Sequence, residues 1–151
     1  MIKADYENDQ RKLNEFKKYY IHIMSVKISE GIKIHVRTEF LQEYSKPALN
    51  HYLFSYRITI TNQNPFSVQL LRRHWFIKDS GSPIKQVEGE GVVGQMPVIE
   101  PGESYTYESG CNLTSEIGSM KGTYQFIRLY EESKFYAEIP EFNLICPWRL
   151  N

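Results

Sequence analysis

Tyr52-Leu53-Phe54-Ser55-Tyr56-Arg57-Ile58-Thr59-Ile60-Thr61 is the stretch that decides the fold. Tyr52, Phe54, Tyr56, Ile58 and Ile60 alternate with Ser55, Arg57, Thr59 and Thr61. Successive side chains of a strand point to opposite faces, so this pattern is a strand with one buried face. Aromatic and β-branched residues suit such a pleated, half-buried surface. Asn62-Gln63-Asn64-Pro65 then stops the strand, since Asn and Pro favour turns.

The same period extends in both directions. Upstream, Ile32, Ile34, Val36, Thr38 and Phe40 alternate with Lys33, His35, Arg37 and Glu39. Downstream, a strand is expected over Val68–Lys78, with a turn at Asp79-Ser80-Gly81-Ser82-Pro83. Ile84 to Glu88 begins another, which runs into Gly89-Glu90-Gly91-Val92-Val93-Gly94. Pro97 to Ile99 is a short edge segment, and Glu100-Pro101-Gly102-Glu103 is a turn in which Pro sets φ and Gly accepts positive φ. Ser104–Ser109, Gly122–Tyr130 and Phe135–Ile139 complete the set, with a loop after Ser109 and a hairpin turn at Glu131-Glu132-Ser133. Asn143 to Ile145 extends the last strand beyond Pro140. About seven short strands separated by turns and without intervening helices define an all-β sandwich.

Residues 5–24 differ. Tyr6, Leu13, Phe16, Tyr20 and Ile23 fall on one helical face. Asp5 stands where it caps the start, and Lys17 and Lys18 suit the negative end of the helix dipole. The expected organisation is an N-terminal helical extension over residues 1–24 and a β-sandwich domain over 25–151. The helix either covers part of the domain or mediates dimerisation.

Lys+Arg and Asp+Glu both number 18, so the formal net charge is zero. Neutralising many phosphates needs a basic surplus, so general nucleic-acid binding is not expected. No apolar run is long enough to span a bilayer, and the polar stretch from Met1 to Asp9 is not a secretory leader. Both absences point to the cytoplasm. Cys111 and Cys146 are isolated, and two buried thiols are expected there rather than a disulfide.

Six ordered blocks carry a resemblance. They are Tyr56-Arg57-Ile58-Thr59-Ile60-Thr61-Asn62, Leu71-Arg72-Arg73-His74-Trp75, and Gly89-Glu90-Gly91-Val92-Val93-Gly94-Gln95-Met96-Pro97. Pro101-Gly102-Glu103-Ser104-Tyr105, Tyr107-Glu108-Ser109-Gly110-Cys111 and Met120-Lys121-Gly122-Thr123-Tyr124 follow. Across residues 25–151 the chain resembles the ApaG family, and the N-terminal helix lies outside the match. The resemblance implies an immunoglobulin-like, fibronectin type III-like sandwich. It also implies a loose association with cobalt resistance and magnesium efflux in bacteria, and with protein interaction in eukaryotic F-box proteins. Fold alone does not give function.

Gly89-x-Gly91-x-x-Gly94 is the pattern of a dinucleotide-binding turn, but no helix and no βαβ unit follow it to hold a pyrophosphate. Two readings stay open. Successive N–H groups here form an anion nest, with Arg72, Arg73, His74 or Lys85 supplying positive charge. Alternatively, the glycines mark a bulge or a close approach of backbones. The candidate phosphate-binding residues are therefore Gly89, Gly91, Gly94, Arg72 and His74. In the strand, Arg72 and His74 share one face, and Arg73 and Trp75 the other. Trp75 is expected in the core, and Arg73 beside it needs a carboxylate or carbonyl partner.

His22, His35, His51 and His74 show no paired metal-ligand spacing, so no metal site is expected. No nucleophile stands in a recognisable catalytic context, and no cofactor is expected. The leading expectation is a non-enzymatic binding module that takes a protein partner or a second copy of itself. A sensor of pyrophosphate or dinucleoside polyphosphate at the glycine segment is the alternative, and a metal-handling accessory protein the third.

Overall fold

The computed structural model describes residues 2–150. The chain runs α1 (Ile2–Ile23), β1 (Met24–Ser29), β2 (Ile32–Phe40), β3 (Tyr52–Asn62), β4 (Val68–Asp79), β5 (Lys85–Glu90), β6 (Val98–Ile99), β7 (Ser104–Leu113), β8 (Ile117–Arg128) and β9 (Ser133–Ile145). All strand pairs are antiparallel and form two sheets. One sheet has the order β1-β2-β3-β7, and the other β5-β4-β8-β9, with β6 pairing the start of β4. The fold is the all-β sandwich with an N-terminal helix that the alternation predicts.

The core lies between the sheets. Ile32, Ile34 and Val36 of β2 and Phe54, Ile58 and Ile60 of β3 are fully buried or nearly so. Facing them are Leu70, Trp75, Tyr124, Phe126, Phe142 and Leu144 from the second sheet. Trp75 is 3% exposed and meets Tyr56, Tyr124 and Phe142 in edge-on contacts at ring-centre distances of 5.6, 6.3 and 5.8 Å. Such pairs add about 0.5–1.5 kcal/mol each beyond the area they bury.

Two bulges keep the apolar rows facing inward. In β4 the register slips between Leu70 and Arg72, leaving Leu71 as the extra residue. The inward row therefore passes from Val68 and Leu70 to Arg73, Trp75 and Ile77. In β9 the slip falls where Met120 pairs with Phe142 and Gly122 with Ile139. Pro140 sits in that bulge, where its missing N–H breaks no ladder bond. β9 thus runs on past Pro140 to Ile145, the extension expected over Asn143 to Ile145.

Three boundaries differ from expectation. β7 continues past Gly110 to Leu113, because Gly110 faces outward and Cys111 and Leu113 continue the buried row. β8 begins at Ile117, five residues before Gly122. Gly122 is required there because a β-carbon would stand 2.1 Å from the His74 carbonyl oxygen. β1 was not anticipated, since its phase is inverted. Ser25, Lys27 and Ser29 pair with the inward Val36, Ile34 and Ile32, while Val26 and Ile28 face outward and are exposed.

In α1, the side chains from Ala4 to Glu15 are exposed, Tyr6 and Leu13 included. Phe16, Tyr20 and Ile23, the rest of its expected apolar stripe, lie outside the described side chains. No helix among the described residues is long and apolar enough to cross a membrane.

Candidate functional site

The glycine segment lies at the end of β5 and in the turn that follows. Gly89 pairs with Arg73 across the β4–β5 ladder. A β-carbon on Gly89 would stand 2.9 Å from the Arg73 guanidinium nitrogens. Arg73 Nη1 donates to the carbonyls of Glu90 and Gly91, both at 2.9 Å. The glycine thus makes room for the arginine, and the arginine ties down the backbone beyond it.

Gly91 has φ +60°, and its β-carbon would stand 2.2 Å from the Gln95 carbonyl oxygen. Its N–H donates to the Leu71 carbonyl at the β4 bulge, 2.8 Å away. Val92 is fully buried, and its N–H donates to Gln95 O at 2.8 Å, with Gln95 N–H returning to Val92 O at 3.0 Å. Val93 (φ 47°) and Gly94 (φ 73°) form the two-residue turn between them, both with positive φ. That is the type I′ pattern of tight hairpins. The N–H groups of Gly91, Val92 and Gln95 are thus committed within the chain.

Arg72 and His74 lie on the outer face of the second sheet, away from the core. Each stands opposite a glutamate of β5. Arg72 Nη1 is 3.9 Å from Glu90 Oε1, and His74 Nδ1 is 3.0 Å from Glu88 Oε1. His74 also meets Gln86 through Nε2 at 3.0 Å and stacks on Phe76. The five candidate residues therefore divide between two places. The glycines back onto Arg73 at the sandwich edge, and Arg72 and His74 sit in matched pairs on the outer sheet surface.

A cleft opens elsewhere, between the two sheets. β7 ends one sheet and β5 ends the other, on the same side of the sandwich. On the opposite side, β1 and β9 close the gap. There the Glu138 N–H donates to Ser29 Oγ at 2.8 Å, and Lys27 pairs with the Glu138 carboxylate. The β5–β7 side has no such closure and leaves a cleft of about 580 Å³. Tyr56, Trp75, Val87 and Leu113 supply apolar walls, and Arg73 and Lys85 supply positive charge. A volume of 300–1,000 Å³ is the ordinary range for a ligand site.

The inward row of β5 is Lys85, Val87 and Gly89, opposite Ile77, Trp75 and Arg73. Lys85 therefore projects toward the cleft. Asp79, at the cleft end, is saturated: its Oδ2 accepts from Thr114 N–H and Oγ1, both at 2.7 Å, and its Oδ1 from Ser115 Oγ. Desolvation alone would raise its carboxyl, yet these hydrogen bonds hold it below the usual carboxylate range.

Three phenols stand in the wall of the cleft and behind it. The hydroxyls of Tyr107 and Tyr124 hydrogen-bond to each other in the core. Burial pushes both well above the usual tyrosine range. Burial also raises Tyr56, against the opposing effect of a Ser109 hydroxyl bond. Cys111 lines the cleft as a free thiol, pushed up to about 11 by burial. Cys146 is likewise free and buried. Among the described residues, no group of three or more His, Cys, Asp and Glu side chains is placed to hold a metal.

The sequence places Trp75 in the core and requires a carboxylate or carbonyl partner for Arg73; that partner is the pair of Glu90 and Gly91 carbonyls. The sequence does not disclose the cleft, because Lys85, Ser109 and Cys111 meet only after β5 and β7 are set at the same edge. The available signal was Lys85, a charge on the row that Val87 and Gly89 make inward.

A chain built this way is a sandwich with one sealed side and one open, aromatic-walled side. Residues 42–128 match the family model described as ApaG domain. Protein ApaG of Dechloromonas aromatica is 44% identical over 120 residues, spanning 80% of this chain and 94% of that one. Protein ApaG of Nitrosomonas eutropha is 46% identical over 116 residues, spanning 77% and 91%. The crystal structure of an ApaA protein from Bordetella pertussis superposes with a TM-score of 0.74 at 35% identity, covering 83% of this chain and 98% of that one. The chain belongs to the ApaG domain family.

Proposed function

We propose that this protein is a non-enzymatic binding module whose partner is another protein, docking on the open side between β5 and β7. The observation that carries this is the asymmetry of the two sides. Ser29, Lys27 and Glu138 seal one, whereas the other leaves two strand edges and a cleft of about 580 Å³ uncovered. An exposed strand edge is a row of unpaired N–H and C=O groups, and proteins normally blunt or cover it. Edges of this kind serve as docking rails for an added strand. Against the anion-sensor alternative, Arg72 and His74 each already face a glutamate of β5.

The test is site-specific photo-crosslinking in native lysate. A photoreactive residue at Asn112, exposed on β7, is expected to give a discrete protein adduct that the same group at Lys134 on β9 does not. Identical adducts from both positions, or none from Asn112, would reject the open side as the docking surface.

A further inference from the structure

Among the described residues, four of the six arginines of the sandwich are answered by carboxylates, and Arg37, which is not, is exposed. Arg57 pairs with Glu108, Arg72 with Glu90, Arg128 with Glu30 and Glu131, and Arg149 with Glu116. Arg73 differs. It is half-buried, and among the described residues it forms no ion pair. Its Nη1 rests on two backbone carbonyls, which carry no net charge. Lys85 lines the same cleft, projects inward from β5, and also forms no ion pair among the described residues. The acid of the cleft, Asp79, already accepts bonds from Thr114 and Ser115. Holding a guanidinium partly out of water without a carboxylate is unfavourable. A ligand carboxylate would offset that cost, because a guanidinium binds one through two parallel N–H bonds.

The frame around these cations suits a peptide. β7 pairs only with β3, and β5 only with β4. Each therefore offers an unpaired backbone edge along the cleft. An extended chain laid on such an edge places alternate side chains on one side, at a spacing of roughly 6–7 Å for every second residue. The cleft accepts that row. Trp75 and Val87 give apolar surface between the two cations, and Leu113 adds to it from β7.

We infer that the cleft takes an extended peptide strand that presents one Asp or Glu carboxylate to Arg73 and a second, four residues along, to Lys85, with an apolar side chain between them over Trp75 and Val87. This deepens the protein-binding proposal, on which it rests, by naming the chemistry of the partner.

The experiment pans a random dodecapeptide phage library against the immobilised full-length protein. The consensus peptide is then synthesised and its binding measured by fluorescence anisotropy. Two positions fixed as Asp or Glu at i and i+4, with an apolar residue at i+2, are expected. Lys85 is exposed, so Lys85→Glu leaves the fold intact; it is expected to weaken the consensus peptide roughly tenfold or more. Panning on Lys85→Glu is expected to exchange one of the two acidic positions for a basic or neutral one and keep the other. N-methylation of alternate peptide amides is expected to abolish binding in one phase and leave it unchanged in the other.

Selected peptides without an acidic position, equal binding to Lys85→Glu, or indifference to N-methylation in both phases would overturn the inference. So would failure to select any peptide, or competition by N-acetylglutamate methylamide at the peptide's own affinity, which would make the occupant a small acid. Light scattering on the protein alone gives the remaining outcome: a dimer that protects Asn112 from crosslinking would make the occupant a second copy, and the inference would fall. Adducts at Asn112 with no acidic preference would overturn this inference alone. Absence of adducts would overturn the protein-binding proposal itself.

Discussion

The guanidinium of Arg73 occupies the space that a side chain at Gly89 would need, its nitrogens lying 2.9 Å from where that β-carbon would stand. The two residues are paired across the β4–β5 ladder. A methyl at position 89 must displace the guanidinium from the Glu90 and Gly91 carbonyls. Gly89→Ala is expected to cost about 1 kcal/mol, the net worth of one or two such hydrogen bonds. With Arg73→Met in place the same change should be nearly neutral. A double-mutant cycle by urea denaturation checks this, and additive effects would contradict the coupling.

Gly91 and Gly94 share positive φ but not surroundings. At Gly91 a β-carbon meets the Gln95 carbonyl oxygen at 2.2 Å, whereas at Gly94 nothing lies within 4 Å. Gly91→Ala adds left-handed strain of about 1–2 kcal/mol to a steric overlap of about 1–3 kcal/mol. Gly94→Asn is expected to cost less than about 1 kcal/mol, since Asn tolerates that conformation. Thermal melts of the two variants should therefore separate by several degrees. Gly94→Asn is also the variant that interrogates anion binding, because Gly91 substitutions disturb the turn itself.

Tyr107 and Tyr124 satisfy each other's hydroxyls in the core. Removing one hydroxyl strands the other. Tyr107→Phe is expected to cost about 1–3 kcal/mol, the penalty of a buried unpaired hydroxyl. Replacing both by Phe should recover most of that loss. A double variant as unstable as the sum of its parts would refute the pairing.

Burial sets the thiols apart from ordinary cysteines. With Cys111 and Cys146 both pushed up to about 11, little thiolate exists at pH 8. Against an ordinary cysteine, alkylation by iodoacetamide is expected to be slower by roughly two orders of magnitude in the folded protein. Urea should restore it at both sites. Fast labelling of either thiol in the native state, read by mass spectrometry, would contradict their burial.

Asp79 makes acid stability specific. Its folded-state pKa lies below the ordinary value of 3.8, so the unfolded chain takes up the proton first on acidification. Its contribution is fully present above pH 3.8 and is lost as pH falls through the folded value. Asp79→Asn should therefore flatten the decline of stability below about pH 4. Parallel acid titrations of wild type and variant, followed by tyrosine fluorescence, would show equal slopes if Asp79 played no part.

The strands that alternate cleanly were legible without coordinates. β2 and β3 carry that pattern along their full length, and each buries the row it predicts. Legibility failed where a bulge or an inversion broke the period. Leu71 and Pro140 each shift the phase by one residue, and β1 presents its polar row inward. The cleft failed for a different reason. Lys85 and Ser109 are separated by two turns and a short strand, and only sheet order brings β5 and β7 to the same side. Pairwise facts such as Arg73 beside Trp75 are local and were legible; the placement of two sheet edges is not local.

The inverted phase of β1 gives the molecule a detachable margin. Between the sheets this strand inserts only Ser25, Lys27 and Ser29, and it is held to β9 by the Ser29 and Lys27 contacts with Glu138. Peeling it away withdraws no apolar side chain from the interior, so this edge opens at a small fraction of the free energy that unfolds β2, β3 or β8. Among the described side chains, the margin between β1 and β9 is thus fastened by a polar latch. Salt and acid, which weaken ion pairs, would loosen it while leaving the aromatic core undisturbed.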